Sequence, residues 1–319
     1  MGLAILWILF FHSEIYVPDF MLPVKFIKLT GYAGVDIFFL LSGFGVACSL
    51  FKDATKKEFF IKRFVRVIPV FWMVLSLYFV IEYIRYGVGF RDVLFSFVGL
   101  DFILFGDLKF WFIPAICICY LFTPIFNSLL LKGNTKYFSI ILILVLLVLL
   151  VFFAVLAPHL LIFITRVPIF LFGIYIGYNF SRNRNVKFLN SYLVNAIILF
   201  VSSVSLVCVL IYTNSSFRWE IGLWWYPTIF LAYPLCFFTG WFLDKNNKLF
   251  SYPTMLLRVA GRLSLELYLI HNLFLYSTKG INIDAPETLM QFIYIVLSFI
   301  LAWLANNRIE LKKLIRHHL

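Results

Sequence analysis

Apolar residues run along most of this 319-residue chain in stretches close to bilayer-crossing length, with polar residues clustered briefly between them. A helix needs roughly 20 residues to cross about 30 Å of hydrocarbon, and lipid leaves only helices and closed barrels with every backbone group paired. Reading the apolar runs against turn and charge punctuation predicts about ten helices. They fall near 2–12, 33–51, 66–84, 110–131, 137–156, 160–180, 188–212, 221–242, 259–277 and 289–305. The expected fold is all-α, a polytopic membrane helical bundle forming a single domain over 1–319, with no internal repeat, low-complexity linker or soluble domain. The connection from Tyr86 to Lys109 has room for a short surface helix only. Pro18 and Pro23 are expected to keep the segment after His12 out of a helix.

Composition agrees. Hydrophobic residues make up 63% of the chain and charged ones 13%, against roughly 25% charged in soluble domains. The five cysteines lie in apolar runs without CxxC or metal-ligand spacing and read as small packing residues. Nothing positive precedes the first apolar run and no small-residue cleavage site follows it, so no cleavable signal is expected.

The net charge of +12 raises nucleic acid as a partner, but placement explains it otherwise. Lys52, Lys56, Lys57, Lys62, Arg63 and Arg66 share one connection, and Lys132 with Lys136, then Arg182, Arg184 and Lys187, occupy the next alternate ones. Lys245, Lys248, Arg258 and Arg262 follow, and Arg308, Lys312, Lys313 and Arg316 close the chain. Basic residues in every second connection obey the positive-inside rule. The expectation is a multi-pass protein of the inner (plasma) membrane with lipid as a partner, both termini cytoplasmic and no nucleic acid bound. The first span then runs outward and sets His12, Glu14 and Asp19 at the outer interface.

Ionisable groups within or beside spans are costly and mark candidate chemistry. His12 is either an interfacial histidine or a general base, since imidazole titrates near neutrality. Glu14 can orient that ring only if the helix has ended at Ser13. Asp36 shares a helical face with Leu40 and Gly43, and Gly43 with Ala47 makes a small-xxx-small pair suited to close packing. Asp36 either caps its helix or pairs with a cation or imidazole across the bundle. Arg63 and Arg66, three apart, either anchor the inner face or grip a phosphate-bearing donor through paired hydrogen bonds. Arg166 lies near the outer end of its helix, where it can snorkel. Glu266 sits inside an apolar run and must face the bundle interior or a wet cavity. His271 follows in the same run.

In this order the pieces resemble the acyltransferase-3 family of integral-membrane acyltransferases of surface carbohydrate. They are GLAILWILFFH, GVDIFFLLSGF and FFIKRFVRVIP, then LKFWFIPAICICYLFTPIF, RVPIFLFGIYIG and GRLSLELYLIH. The resemblance implies transfer of an acyl group, usually acetyl, from cytoplasmic acyl-coenzyme A to a hydroxyl of a cell-surface glycan or lipid-linked sugar. No bound cofactor or metal is implied. By position His12 matches the family's essential histidine, and Arg63 and Arg66 match the basic motif proposed to serve the donor. Asp36 or Glu14 would orient the imidazole. The family pattern has an arginine eleven residues before the histidine, where this chain has Met1. The expectation is a truncated first span, with Gly2 to Phe11 covering about 15 Å. The alternatives are a transporter or flippase for a lipid-linked sugar, with Asp36, Arg166 and Glu266 lining a passage, and an inactive truncated relative.

Overall fold

The computed structural model describes residues 1–13, 15–51, 56–131, 151–182, 189–213, 222–244, 251–277 and 293–306. Among them every regular element is helical. Apart from short turns, the principal helices in chain order are α1 (Gly2–His12), α2 (Leu22–Leu29), α3 (Gly34–Phe51), α4 (Lys56–Tyr86), α5 (Phe90–Val98) and α6 (Leu100–Phe105). After α7 (Phe112–Leu131) come α8 (Val167–Ser181), α9 (Tyr192–Tyr212), α10 (Tyr226–Asp244), α11 (Ser251–Arg262) and α12 (Ser264–Ser277). The last is α13 (Ile293–Asn306).

Among the described residues, five stretches are long and apolar enough to cross a membrane: Asp19–Leu50, Lys57–Tyr86, Pro158–Ser181, Tyr192–Tyr212 and Tyr226–Asp244. Within the described residues, Gly2–His12, the Phe112–Phe126 part of α7 and Ile293–Asn306 are shorter apolar helical stretches. The protein is thus an all-α membrane bundle, as its hydropathy predicts. Of the span expected at 137–156, residues up to 150 lie outside the described residues, as do residues 289–292 of the last one.

Three details differ from expectation. Prolines do not keep the segment after His12 out of a helix: α2 forms with Pro23 in its first turn, where the missing N–H has no helical partner to lose. The connection after Tyr86 holds two helices, α5 and α6, separated by Gly99 at φ 78°. A side chain there would be strained in the left-handed region and would press on Pro114. The span expected at 259–277 is broken at Leu263 into α11 and α12. Helix α11 exposes Tyr252, Met255, Leu256, Arg258 and Arg262, whereas α12 is buried from Glu266 through Leu273. A helix apolar all round belongs inside a bundle, and an amphipathic one belongs at a boundary.

The contacts divide into two compact units. The first comprises Met1–Tyr32, Phe64–Pro114 and Lys248–Leu319. Within it α1 packs on α2, α11 and α12. Gly2 lies so close to the backbone of Leu257 that any side chain would overlap the carbonyl. The Trp7 indole N–H donates to Ile27 O at 2.6 Å and ties α2 to α1. Phe274 and Tyr294 stack at 5.4 Å between α12 and α13.

The second unit comprises Ala33–Arg63 and Ala115–Asn247. Its centre is the pairing of α3 with α8. A Cβ on Gly43 would strike the Phe170 carbonyl, one on Gly173 the Leu40 carbonyl, and one on Gly177 would meet Phe44 O and Ala47. Small residues on both helices bring the backbones together, and dispersion over that contact does what water-driven burial cannot do in lipid. Substituting Gly173→Ala is expected to cost about 1–3 kcal/mol through overpacking, read as a lower thermal midpoint in detergent. Gly45→Ala, whose new methyl would meet nothing within 4 Å, should leave the midpoint unchanged or raise it slightly.

Candidate active site

The helix α1 ends where His12 stands. Ser13 is extended at φ −71° and ψ 145°, its N–H donates to Leu9 O and Phe10 O, and no further turn forms. The Ser13 hydroxyl donates to Phe10 O at 2.7 Å and closes the cap. His12 is therefore the last helical residue, half-buried, and it faces the negative end of the α1 dipole. The condition set for Glu14, that the helix end at Ser13, is met, while Glu14 itself lies outside the described residues.

The ring of His12 meets a second histidine from far along the chain. His12 Nδ1 is 3.1 Å from His271 Nε2, and the rings lie nearly parallel with centroids 5.2 Å apart. His271 is 7% exposed. Its Nδ1 is 3.0 Å from Leu267 O, one helical turn earlier on α12. Aromatic rings frame the pair: Phe11 against His12 at 4.9 Å, Tyr32 against Phe11 at 5.7 Å, and Tyr268 edge-on to His271 at 5.6 Å. Phe112 supports Tyr268 at 5.1 Å. All of these residues belong to the first unit. A half-buried imidazole whose Nδ1 is 3.1 Å from a second ring is a candidate for proton transfer.

Asp36 is committed elsewhere, inside the second unit. It is 0% exposed. Its Oδ1 lies 3.4 Å from Arg166 Nε, and its Oδ2 accepts from Thr228 Oγ1 at 2.8 Å. Arg166 does not snorkel: it is 1% exposed, donates to Ile162 O at 2.6 Å and lies over the Trp225 ring at 5.3 Å. The turn before α8 places Arg166 there. Gly222 at φ 68° lets the chain pass Trp225 and Thr165 where a side chain would crowd both. This cluster joins α3 to the starts of α8 and α10. Its chemistry is that of a buried ion pair, which neutralises two charges that lipid would otherwise reject.

The two arginines of α4 differ. Arg63 is half-buried and donates from Nη2 to Gly45 O at 2.9 Å, leaving its buried Nε without a hydrogen-bond partner among the described residues. Arg66 is exposed. Glu266 is 2% exposed and its Oε2 has no hydrogen-bond partner among the described residues, in line with the expected inward face.

The structure thus brings together His12 with His271, and Asp36 with Arg166. The sequence singled out all four but paired none of them. Thr228 and Trp225 were missed, being ordinary residues of an apolar helix start.

A family model described as an acyltransferase domain matches residues 2–307. The chain belongs to the acyltransferase-3 family. No curated protein and no solved structure matches it. As a family member it is a membrane O-acyltransferase, which selects the enzyme over the transporter.

If the Asp36 cluster is structural, Asp36→Leu alone strands the Arg166 charge and should cost roughly 3–5 kcal/mol. The double variant Asp36→Leu/Arg166→Met should recover most of the thermal midpoint and of the acyl-transfer rate. Folding of both variants can be followed by thermal unfolding in detergent.

Proposed function

We propose that this acyltransferase moves an acyl group, acetyl in the first instance, from cytoplasmic acyl-coenzyme A to a hydroxyl of an exported or cell-surface glycan. The observation that carries this reading is the His12–His271 pair at the end of α1, a held imidazole next to a second, buried one. An imidazole nitrogen of His12 takes the proton of the acceptor hydroxyl as its oxygen attacks the thioester carbonyl carbon. The tetrahedral adduct collapses, the C–S bond breaks, and the proton passes from the imidazolium to the departing sulfur. The ester and free coenzyme A are the products, and the base returns to its starting form. The carbonyl end of α1 suits the positive charge that the ring carries between those two transfers.

Donor binding falls to the basic start of α4. A guanidinium recognises a phosphate through two parallel hydrogen bonds, and Arg66 is exposed and available for it. Arg63, anchored on the Gly45 carbonyl, retains further N–H groups for the same ligand. Placed by the distribution of Lys and Arg, that end of α4 is cytoplasmic, His12 lies toward the outer face, and the enzyme resides in the inner membrane with both termini inside. The acceptor then arrives from the far side of the bilayer, and the long pantetheine arm carries the acyl group toward it.

Release of coenzyme A by purified protein in detergent, with acetyl-coenzyme A and an acceptor glycan, tests the chemistry. His12→Ala should lower kcat by about 10²–10⁴-fold, the usual share of a general base. A wild-type rate in that variant overturns the assignment. Arg66→Ala should raise KM for the donor and leave kcat nearly unchanged.

A further inference from the structure

We propose that His271 is a positioning residue that selects the tautomer of His12 and so makes His12 Nε2 the basic nitrogen. The inference rests on His12 acting as the base and goes beyond it by assigning the reacting atom and the group that sets it.

The assignment starts at a carbonyl. Leu267 O can only accept, so His271 Nδ1, 3.0 Å away, carries a hydrogen. A neutral imidazole protonated at Nδ1 has its lone pair on Nε2. That lone pair faces His12 Nδ1 at 3.1 Å. One of two apposed nitrogens must donate, and His271 Nε2 has no hydrogen to give, so His12 Nδ1 does. His12 in its neutral form therefore keeps its lone pair on Nε2. Free histidine favours the opposite tautomer, with hydrogen on Nε2 and the lone pair on Nδ1. The pairing thus inverts the intrinsic preference of the catalytic ring and directs its basicity away from α12.

Helical geometry supplies the first link of this chain. His271 and Leu267 stand four apart on α12, so the carbonyl and the ring nitrogen meet without help from any other element. Tyr268, edge-on to the His271 ring and backed by Phe112, limits its rotation. A carboxylate in place of His271 would also accept from His12 Nδ1. It would bring a charge into a helix buried from Glu266 to Leu273, whereas a neutral imidazole accepts the same bond at a lower desolvation cost.

The test joins a spectroscopic and a kinetic arm. In ¹⁵N-histidine-labelled protein in detergent, with the His12 signals assigned by their loss in His12→Ala, wild type should show Nδ1 protonated and Nε2 bare. His271→Leu should shift His12 toward the Nε2-protonated form and lower kcat by about 10–100-fold, part of the 10²–10⁴ that a general base contributes. KM for acetyl-coenzyme A should not move. His271→Gln, whose side-chain carbonyl can stand near the lost Nε2, should restore both the tautomer and most of kcat. An Nε2-protonated His12 in wild type overturns the proposal, and so does an unchanged kcat in His271→Leu when His12→Ala is inactive. If His271→Leu fails to fold, the wild-type spectrum and the His271→Gln rate still decide. If His12→Ala keeps its activity, the general-base reading fails by itself, and the spectrum judges the tautomer separately.

Discussion

A polar group buried among apolar helices has no water to fall back on, and leaving it without a partner costs several kcal/mol. This constraint governs the structure more than any single contact. In a chain that is 63% hydrophobic, each buried polar side chain tends to mark a place where helices are tied together or bent. Asn195 donates to Leu189 O and Ser191 O and fastens the start of α9. Thr165 returns its hydroxyl to Leu161 O in the turn that delivers Arg166. The Asp36 cluster and the two histidines obey the same rule with groups from distant segments.

Close backbone approach is the second requirement. Between α3 and α8 the glycines at 43, 173 and 177 bring one helix against the carbonyls of the other, and that proximity lets Asp36 on α3 meet Arg166 at the head of α8. In the first unit Gly2 against Leu257 seats α1 on α11, while the cap at Ser13 fixes where α1 stops. The glycine at one end and the cap at the other leave His12 little freedom along its helix. Packing by small residues thus precedes polar chemistry in both units: the backbones must meet before the short reach of an aspartate or an imidazole is enough.

Much of the fold was legible in the sequence because hydropathy and helical period are local signals. The long apolar helices α4, α9 and α10 appear near where the apolar runs put them, and Gly43 and Ala47 lie on a packed face as their spacing suggested. Local rules erred where two of them competed. Pro23 was weighed as a breaker although a first-turn position tolerates proline, and the basic, amphipathic α11 was merged with the buried α12 across Leu263. The candidate site was legible only in its parts. His12 and His271 are 259 residues apart, and Asp36 also stands outside the reach of any period from Arg166 and Thr228. Polarity in an apolar run says that a partner exists; it does not say which one.

The two polar clusters make that distinction chemically useful. Asp36 and Arg166 form a buried ion pair, 0% and 1% exposed. Moving a proton in such a pair would leave a lone charge in a site of low polarisability, so its chemistry favours permanence. His12 is half-buried rather than sealed, beside the buried ring of His271. With the tautomers proposed above, a proton gained there creates one charge at the carbonyl end of a helix and leaves both contacts of the resting pair in place, His271 Nδ1 to Leu267 O and His12 Nδ1 to His271 Nε2. A base that changes charge without rearranging its supports carries a small reorganisation cost, and preorganisation of that kind is what speeds proton transfer. Under the proposed function, the charged cluster holds its own unit together, and the histidine pair is the part that turns over.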